Sequence, residues 1–271
     1  MHNVDWNAAW QEARKRKKHN HRDNSHWNRR AASFAQHTKN SLYSEKIVHH
    51  IRPSRDWSVL DVGCGAGTLA IPLAKLVRRV TAIDFSDTMI ALLNDHCLEN
   101  GLTNVTTRVI GWEDDWGQAD IDKHDVAIAS RSLIVDDLQA ALCKLNSKAR
   151  RRVFLSSLVG DGPCDRKIFE AIGRDLDRGP DFIYIYNMLH QMGIHADISF
   201  IQNGDGDKVY RDLDDAVEKI RWMIDAMTPE EGRLLQRYLE KHLIKKQGGW
   251  AMSYKHIVRW AIISWSKRLT C

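Results

Sequence analysis

The chain has no apolar run approaching the roughly 18 residues that a membrane-crossing helix needs. Its polar, basic start also lacks the apolar segment of a secretory signal. Both absences predict a protein with no membrane partner. Cysteine is sparse: Cys64, Cys97, Cys143, Cys164 and Cys271 are odd in number and never spaced as CxxC. That argues against a disulfide framework or a cysteine zinc site, and it predicts a reducing, cytoplasmic setting. The leader is rich in histidine (His19, His21, His26), yet HNH lacks the carboxylate or second pair that closes a metal site. No metal is expected, and no internal repeat or low-complexity segment is evident.

The body of the chain also lacks net charge. Residues 1–30 hold eight Lys/Arg against three acids, which accounts for the whole formal charge of +5. The remainder is balanced, with 32 basic and 32 acidic side chains, and offers no electrostatic reason for a polyanion partner.

What is present is ordinary globular composition, 43% hydrophobic and 28% charged over 271 residues, enough to bury a full core. Trp6 and Trp10 are at helical spacing, and WNRRAASFA (27–35) reads as an amphipathic helix. Residues 1–45 therefore read as a helical extension, because free tails rarely carry tryptophans. A helix over 41–51 leads into the body, where strands and helices alternate. Strands are expected at 58–63, 79–85, 104–111, 125–130 and 151–157, with helices at 68–77, 86–101 and 138–149 between them. Nearly all-apolar strands in such alternation predict an α/β fold, a parallel sheet covered on both faces. The pattern then changes to helices at 167–176 and 181–193, a strand at 195–202, a turn at NGDGD (203–207), helices at 212–227 and 229–246, and a last strand at 258–265.

VLDVGCGAGTLAIPLA (59–74) is the informative stretch. A strand ending in glycines before a helix lets a ligand approach the backbone and meet unpaired N–H groups. The spacing Gly63-x-Gly65-x-Gly67 continues into Thr68 where a dinucleotide site needs a third glycine, and Asp84 ends the next strand where it can bind ribose hydroxyls. LDVGCGAG followed by VTAIDFS closely resembles the first two motifs of the class I S-adenosylmethionine-dependent methyltransferases. The resemblance covers residues 40–160 by motif and 47–267 by element order. It implies a seven-stranded, doubly wound, Rossmann-like sheet of order 3-2-1-4-5-7-6 with the last strand antiparallel. The domain would be 46–271, with a helical substrate-side insertion around 161–193.

The resemblance also implies roles. Asp61 and the backbone of Gly63, Cys64 and Gly65 would hold the amino acid end of S-adenosylmethionine, with Gly67 and Thr68 opening the next helix. Asp84 would take the ribose, Phe85 would lie beside the adenine, and Tyr43 would touch the cofactor from before the first strand. Met89 either packs on the adenine or is a core methionine. At GWEDDW (111–116) Trp112 is expected against the adenine, with Glu113 or Asp114 accepting from its amino group, unless the acids cap the next turn.

Ser130 and Arg131 end the fourth strand and should face the reacting end. Arg131 would bind the cofactor carboxylate or an anionic substrate, or else pair with Asp136 or Asp137. Substrate contacts are expected from Trp27, Arg30, Tyr184, Tyr186, Asn187 and His190. No dedicated general base is announced; His190, Arg131 and Tyr184 are the catalytic candidates. There is no NPPY or DPPY at the fourth strand and no Pro-Cys nucleophile, which argues against adenine or amide N-methylation and cytosine C5 chemistry. The function expected is direct in-line methyl transfer to a small molecule, with S-adenosylhomocysteine as product and the leader as a lid. The alternatives are an RNA methyltransferase whose ARKRKKHNHR (13–22) grips phosphates, or a catalytically silent cofactor-binding subunit.

Overall fold

The computed structural model describes residues 4–16, 42–176, 178–202 and 208–267. Seven strands form one sheet: β1 (Ser58–Val62), β2 (Arg79–Asp84), β3 (Val105–Val109), β4 (His124–Ser130), β5 (Ala149–Leu158), β6 (Asp197–Gln202) and β9 (Arg259–Ser266). Their order is β3-β2-β1-β4-β5-β9-β6. β1 to β5 are parallel, and β9 lies antiparallel between β5 and β6. This is the order and last-strand direction that the family resemblance implies. β1 is buried at every position, as a central strand covered on both faces must be. β9 inserts where it does because Trp260, Ala261, Ile262, Ile263 and Trp265 are apolar on both faces and all buried.

Helices cover both sides. α2 (Leu42–Ile51), α3 (Ala70–Ala74) and α4 (Asp87–Glu99) pack on one face with Val59, Val126 and Phe154. α1 (Trp6–Arg16), α5 (Leu138–Ser147) and α7 (Phe182–Gln191) pack on the other with Leu60, Ala127 and Leu155. Side-chain caps fix where several helices start. Ser86 accepts from the Met89 N–H, Asp137 from that of Ala140, and Asp181 from that of Ile183.

A third unit has its own core, built from α6 (Arg166–Ala171), α8 (Leu213–Arg221), α9 (Pro229–His242) and the hairpin β7 (Leu243–Lys246)–β8 (Gly249–Met252). It leaves the sheet after β5 and β6 and re-enters at β9, so every connection lies at the edge where the parallel strands end. The hairpin corrects the helix expected over 229–246, which stops at His242. Gly248 and Gly249 take φ of +92° and +148°, and a Cβ on Gly249 would stand 2.3 Å from the Tyr210 carbonyl oxygen. Trp250 then exchanges two backbone hydrogen bonds with Tyr210, each 2.7 Å.

The first helix of the leader is a wedge in the main core. Trp10 is 3% exposed, and its Nε1 donates to the Val135 carbonyl at 2.7 Å. Trp6 and Trp10 meet Tyr184 of α7 edge-on at 5.9 and 6.5 Å. α1 therefore lies on α5, α7 and the loop after β4, and not above Gly63–Gly67. The expected helix over 27–35, with Trp27 and Arg30, lies outside the described residues, as does the NGDGD turn. Trp10→Ala should lower the unfolding free energy by about 3–5 kcal/mol through the cavity it leaves. Trp10→Phe, which strands the Val135 carbonyl, should cost about 1–3 kcal/mol. Urea denaturation of the full chain measures both.

Candidate active site

The glycine loop is shaped by close approach. Gly63 has φ +69°, and a Cβ there would sit 2.2 Å from the Ser132 Cβ, so no side chain fits. Gly65, at φ +54°, turns its N–H onto the Asp84 carboxylate at 2.9 Å. The other Asp84 oxygen accepts from the Ser86 N–H at 2.9 Å. The N–H groups of Gly63 and Cys64 both donate to the Ile83 carbonyl. The end of β2 thus dictates the shape of the loop that follows β1.

Two carboxylates share this dry site. Asp61 is 2% exposed and Asp84 6%. Burial, with the Asp84 charge beside it, pushes the Asp61 carboxyl up to about 7, opposed by the Ala70 N–H. Burial also raises Asp84, against the Ser86, Gly65 and Phe85 N–H groups that stabilise its charge. Asp61 Oδ2 and Thr68 Oγ1 are buried without a hydrogen-bond partner. A site with surplus buried negative charge and two unfilled polar atoms suits a polyhydroxylated, positively charged ligand. S-adenosylmethionine is one: its ammonium and sulfonium carry the charge and its ribose the hydroxyls. Burial pushes the Cys64 thiol well up, which leaves it inert as a nucleophile.

Along the expected adenine side, Phe85 is exposed and Met89 is buried at 2%. The Trp112 indole N–H donates to the Ser132 carbonyl at 2.8 Å, and its ring meets Trp116 at 5.4 Å. Trp112 therefore ties this loop to the one that packs on Gly63. Asp114 accepts from the Gly111 N–H at 2.7 Å, and Asp115 from those of Gly117 and Gln118. These two acids do cap the turn, while Glu113 is exposed.

At the ends of β4 and β5 the structure gathers a cluster. The Tyr43 hydroxyl hydrogen-bonds to Ser130 Oγ at 2.7 Å and Ser156 Oγ at 2.5 Å. The Arg131 guanidinium lies 4.1 Å from the Tyr43 ring centroid and 5.3 Å from that of Trp260. Arg131 takes φ +57°, an unusual backbone for a bulky residue. Burial lowers its pKa, but an arginine stays protonated at neutral pH. The pairing expected with Asp136 or Asp137 is not made: Arg14 pairs with Asp136, and Asp137 caps α5. Sequence reasoning missed Ser156 and Trp260, because neither stands in a motif. It also missed a network in the third unit, where Tyr254 donates to Asp165 at 2.8 Å and meets the Tyr238 hydroxyl at 3.0 Å. Burial, then Tyr238 and Asp165, raise the Tyr254 phenol well above its ordinary value.

α7 does not bring its candidates together. The helix runs along the sheet, starting at the edge where the parallel strands end and finishing near the start of β6. Tyr184 is spent packing on α1, and Asn187 donates to the Ile183 carbonyl. Tyr186 and His190 are exposed, and His190 stacks on His195 at the far end. His190 therefore has no route to a reaction at the glycine loop. Among the described residues no His/Cys/Asp/Glu cluster suits a metal, and no helix is long and apolar enough to cross a membrane.

Residues 59–150 match the family model described as a methyltransferase domain. The chain belongs to the class I S-adenosylmethionine-dependent methyltransferases. It is 33% identical over 242 residues to an uncharacterized protein of Haemophilus influenzae, covering 89% of this chain and 88% of that one. A 23S rRNA uracil-C5-methyltransferase of Burkholderia cenocepacia is 38% identical over 71 residues, only 26% of this chain and 15% of that enzyme. The crystal structure of a protein assigned as a methyltransferase from Bacillus halodurans C-125 superposes with a TM-score of 0.56 at 12% identity, covering 83% and 98% of the two chains.

For this methyltransferase, Asp84→Ala would remove the two charge-assisted bonds to ribose that the family resemblance implies, worth about 1.5–3 kcal/mol each. Calorimetry with S-adenosylhomocysteine should show affinity lower by about tenfold or more. A second prediction concerns pH. The folded pKa of Asp61, about 7, lies above its unfolded value near 3.8. Its contribution to stability is therefore present below the unfolded pKa and lost as pH rises through 7. Asp61→Asn should become progressively more stable than wild type between pH 4 and 7, by up to roughly 1.4 kcal/mol per pH unit. Across the same window wild type should bind the ammonium-bearing S-adenosylhomocysteine more tightly as Asp61 ionises, and Asp61→Asn should lose that dependence.

Proposed function

We propose that the enzyme methylates a small-molecule acceptor carrying an anionic group, bound where β4, β5 and β9 meet the third unit. The observation that carries this reading is Arg131, a half-buried cation walled by Tyr43 and Trp260 beside the two serines. A narrow niche of this kind fits one carboxylate or phosphate on an aromatic or apolar body.

S-adenosylmethionine supplies a methyl group on a sulfonium, which an acceptor attacks in line. The chain's own residues do the rest. Asp61, Gly63, Cys64, Gly65, Gly67 and Thr68 would hold the amino acid end, and Asp84 the ribose. Phe85, Trp112 and Glu113 or Asp114 would flank the adenine. Tyr43 locks Ser130 and Ser156 in place, and Arg131 orients the acceptor by its charge, so that positioning supplies much of the rate. The third unit, with α1 pinning the loop after β4, would exclude water. No side chain is assigned as general base.

The RNA reading draws on the basic run at 13–22. Its described part is divided: Arg14 pairs with Asp136 at 3.1 Å and Ala13 is buried, while Lys15 and Arg16 are exposed. The partial rRNA-enzyme match spans too little of either chain to carry an acceptor.

Methyl transfer from radiolabelled cofactor can be followed into a low-mass metabolite fraction and into total RNA. Label should enter the low-mass fraction. Arg131→Met should cut that transfer at least a hundredfold, with S-adenosylhomocysteine affinity changed less than about threefold, since a lost charged hydrogen bond costs about 1.5–3 kcal/mol and repositioning adds to it. Label in RNA alone would overturn the proposal.

A further inference from the structure

At the opposite edge of the sheet, where the parallel strands begin, a cavity of about 310 Å³ is lined by His49, His50, Arg52, Arg152 and Ser264. α2 brings the first three there. It starts beside Ser130 and Ser156 at the cofactor edge and descends along the sheet to end at Ile51. Arg152 reaches the same cavity from β5, and Ser264 from β9.

Arg52 and His49 are exposed, Arg152 and His50 half-buried. Neither Arg52 nor Arg152 forms an ion pair with a described carboxylate. Asp197, in register with Ser264, is exposed and pairs with neither. The Arg152 guanidinium lies 4.6 Å over the Phe154 ring, and its Nε is buried with no hydrogen-bond acceptor. A half-buried guanidinium without a counter-charge is costly, and here it is held stiff by the ring beneath it. Arg52 takes φ +49°, the left-handed backbone that a side chain adopts reluctantly. His50 Nδ1 meets the Lys46 carbonyl at 2.9 Å, which leaves its other ring nitrogen for a ligand. Cations at the end of α2 would complement the helix dipole, but that explains neither Arg152 nor the cavity between three secondary elements. Arg150 adds a further cation at the start of β5, while Arg151 beside it is paired with Asp125.

We propose that this cavity binds a phosphate group, held by the forks of Arg52 and Arg152 with His49 or His50 as a further donor. Guanidinium pairs match the tetrahedral dianion in charge and in bidentate geometry. The phosphate is either free or part of a nucleic-acid backbone. This site is separate from the methyl-transfer centre and does not rest on the acceptor assigned there.

Calorimetry of the full-length protein with inorganic phosphate, at constant ionic strength in a non-anionic buffer, tests it. Saturable one-site binding is expected. Arg52→Gly and Arg152→Gln should each weaken it about tenfold or more, because each removes a charge-assisted contact. Arg52→Gly is the safer fold, since glycine relieves the left-handed backbone. S-adenosylhomocysteine affinity should be unchanged in both, which shows that the sheet is intact. A short RNA that competes with phosphate and loses affinity steeply with salt assigns the group to a nucleic acid; phosphate binding that RNA does not displace assigns it to the free anion. No saturable phosphate binding, or binding unchanged in Arg52→Gly, would overturn the site.

Discussion

The contact between the Asp84 carboxylate and the N–H of Gly65 governs the cofactor half of the molecule. It forces the loop after β1 to fold back against the end of β2, which only glycines at positive φ permit. It also brings a second carboxylate, Asp61, into the same water-poor space, where the two raise one another's cost. Neither acid could be tolerated there for stability alone. Their burial makes sense as a held electrostatic demand, met when a cationic, hydroxylated ligand arrives. The same contact reaches further. Ser132 packs on Gly63, Trp112 bonds the Ser132 carbonyl, and Trp10 bonds Val135 of that loop. A single connected set of contacts thus runs from the cofactor loop through the segment after β4 to the first helix of the chain.

The near-neutral body conceals local clusters of charge. Asp61, Asp84, Asp114 and Asp165 stand at or just beyond the edge where the parallel strands end, and Arg131 follows β4 at the same edge. Arg79, Arg150, Arg151 and Arg152 lie in the opening residues of β2 and β5, where Asp125 of β4 and Asp197 of β6 also stand, and Arg151 pairs with Asp125. Net charge alone could not reveal this, because the sum does not say which groups are paired and which are not.

How much was legible follows from what each part is made of. The glycine loop could be read because backbone there demands specific residues at fixed spacing, and the sheet order and antiparallel last strand followed from the family resemblance that this motif carries. Asp84 was readable for the same reason, at the end of the next strand. Of the proposed acceptor niche, the sequence singled out Tyr43, Ser130 and Arg131, which adjoin a motif, and read them as lying at the cofactor. Ser156 and Trp260 meet them only because β5 and β9 are neighbours, which no local pattern announces. The α7 candidates show the opposite error. Tyr184, Asn187 and His190 have attractive chemistry, but a helix lying along the sheet spreads them from one edge to the other. The β7–β8 hairpin was hidden because α9 and β7 form one continuous charged run, and only the packing of Gly249 against Tyr210 breaks it.

That division of legibility has a chemical reading. The cofactor half is made mostly of backbone N–H groups and two acids, features that an enzyme can keep whatever it methylates. The opposite wall is made of side chains from α2, β4, β5, β9 and a unit inserted after β5 and β6. That unit carries its own core and a part-buried Asp165–Tyr254–Tyr238 network. Such a polar network adds little stability over an apolar core, and its hydrogen bonds instead fix one arrangement of the elements that share it. Here those elements are the segment leaving β5 and the segment entering β9, the two strands that place Ser156 and Trp260. On the proposed reading, the network sets the spacing of the acceptor niche without touching the acceptor. Acceptor choice then resides in how this inserted unit holds two strand ends, and the cofactor loop is indifferent to it.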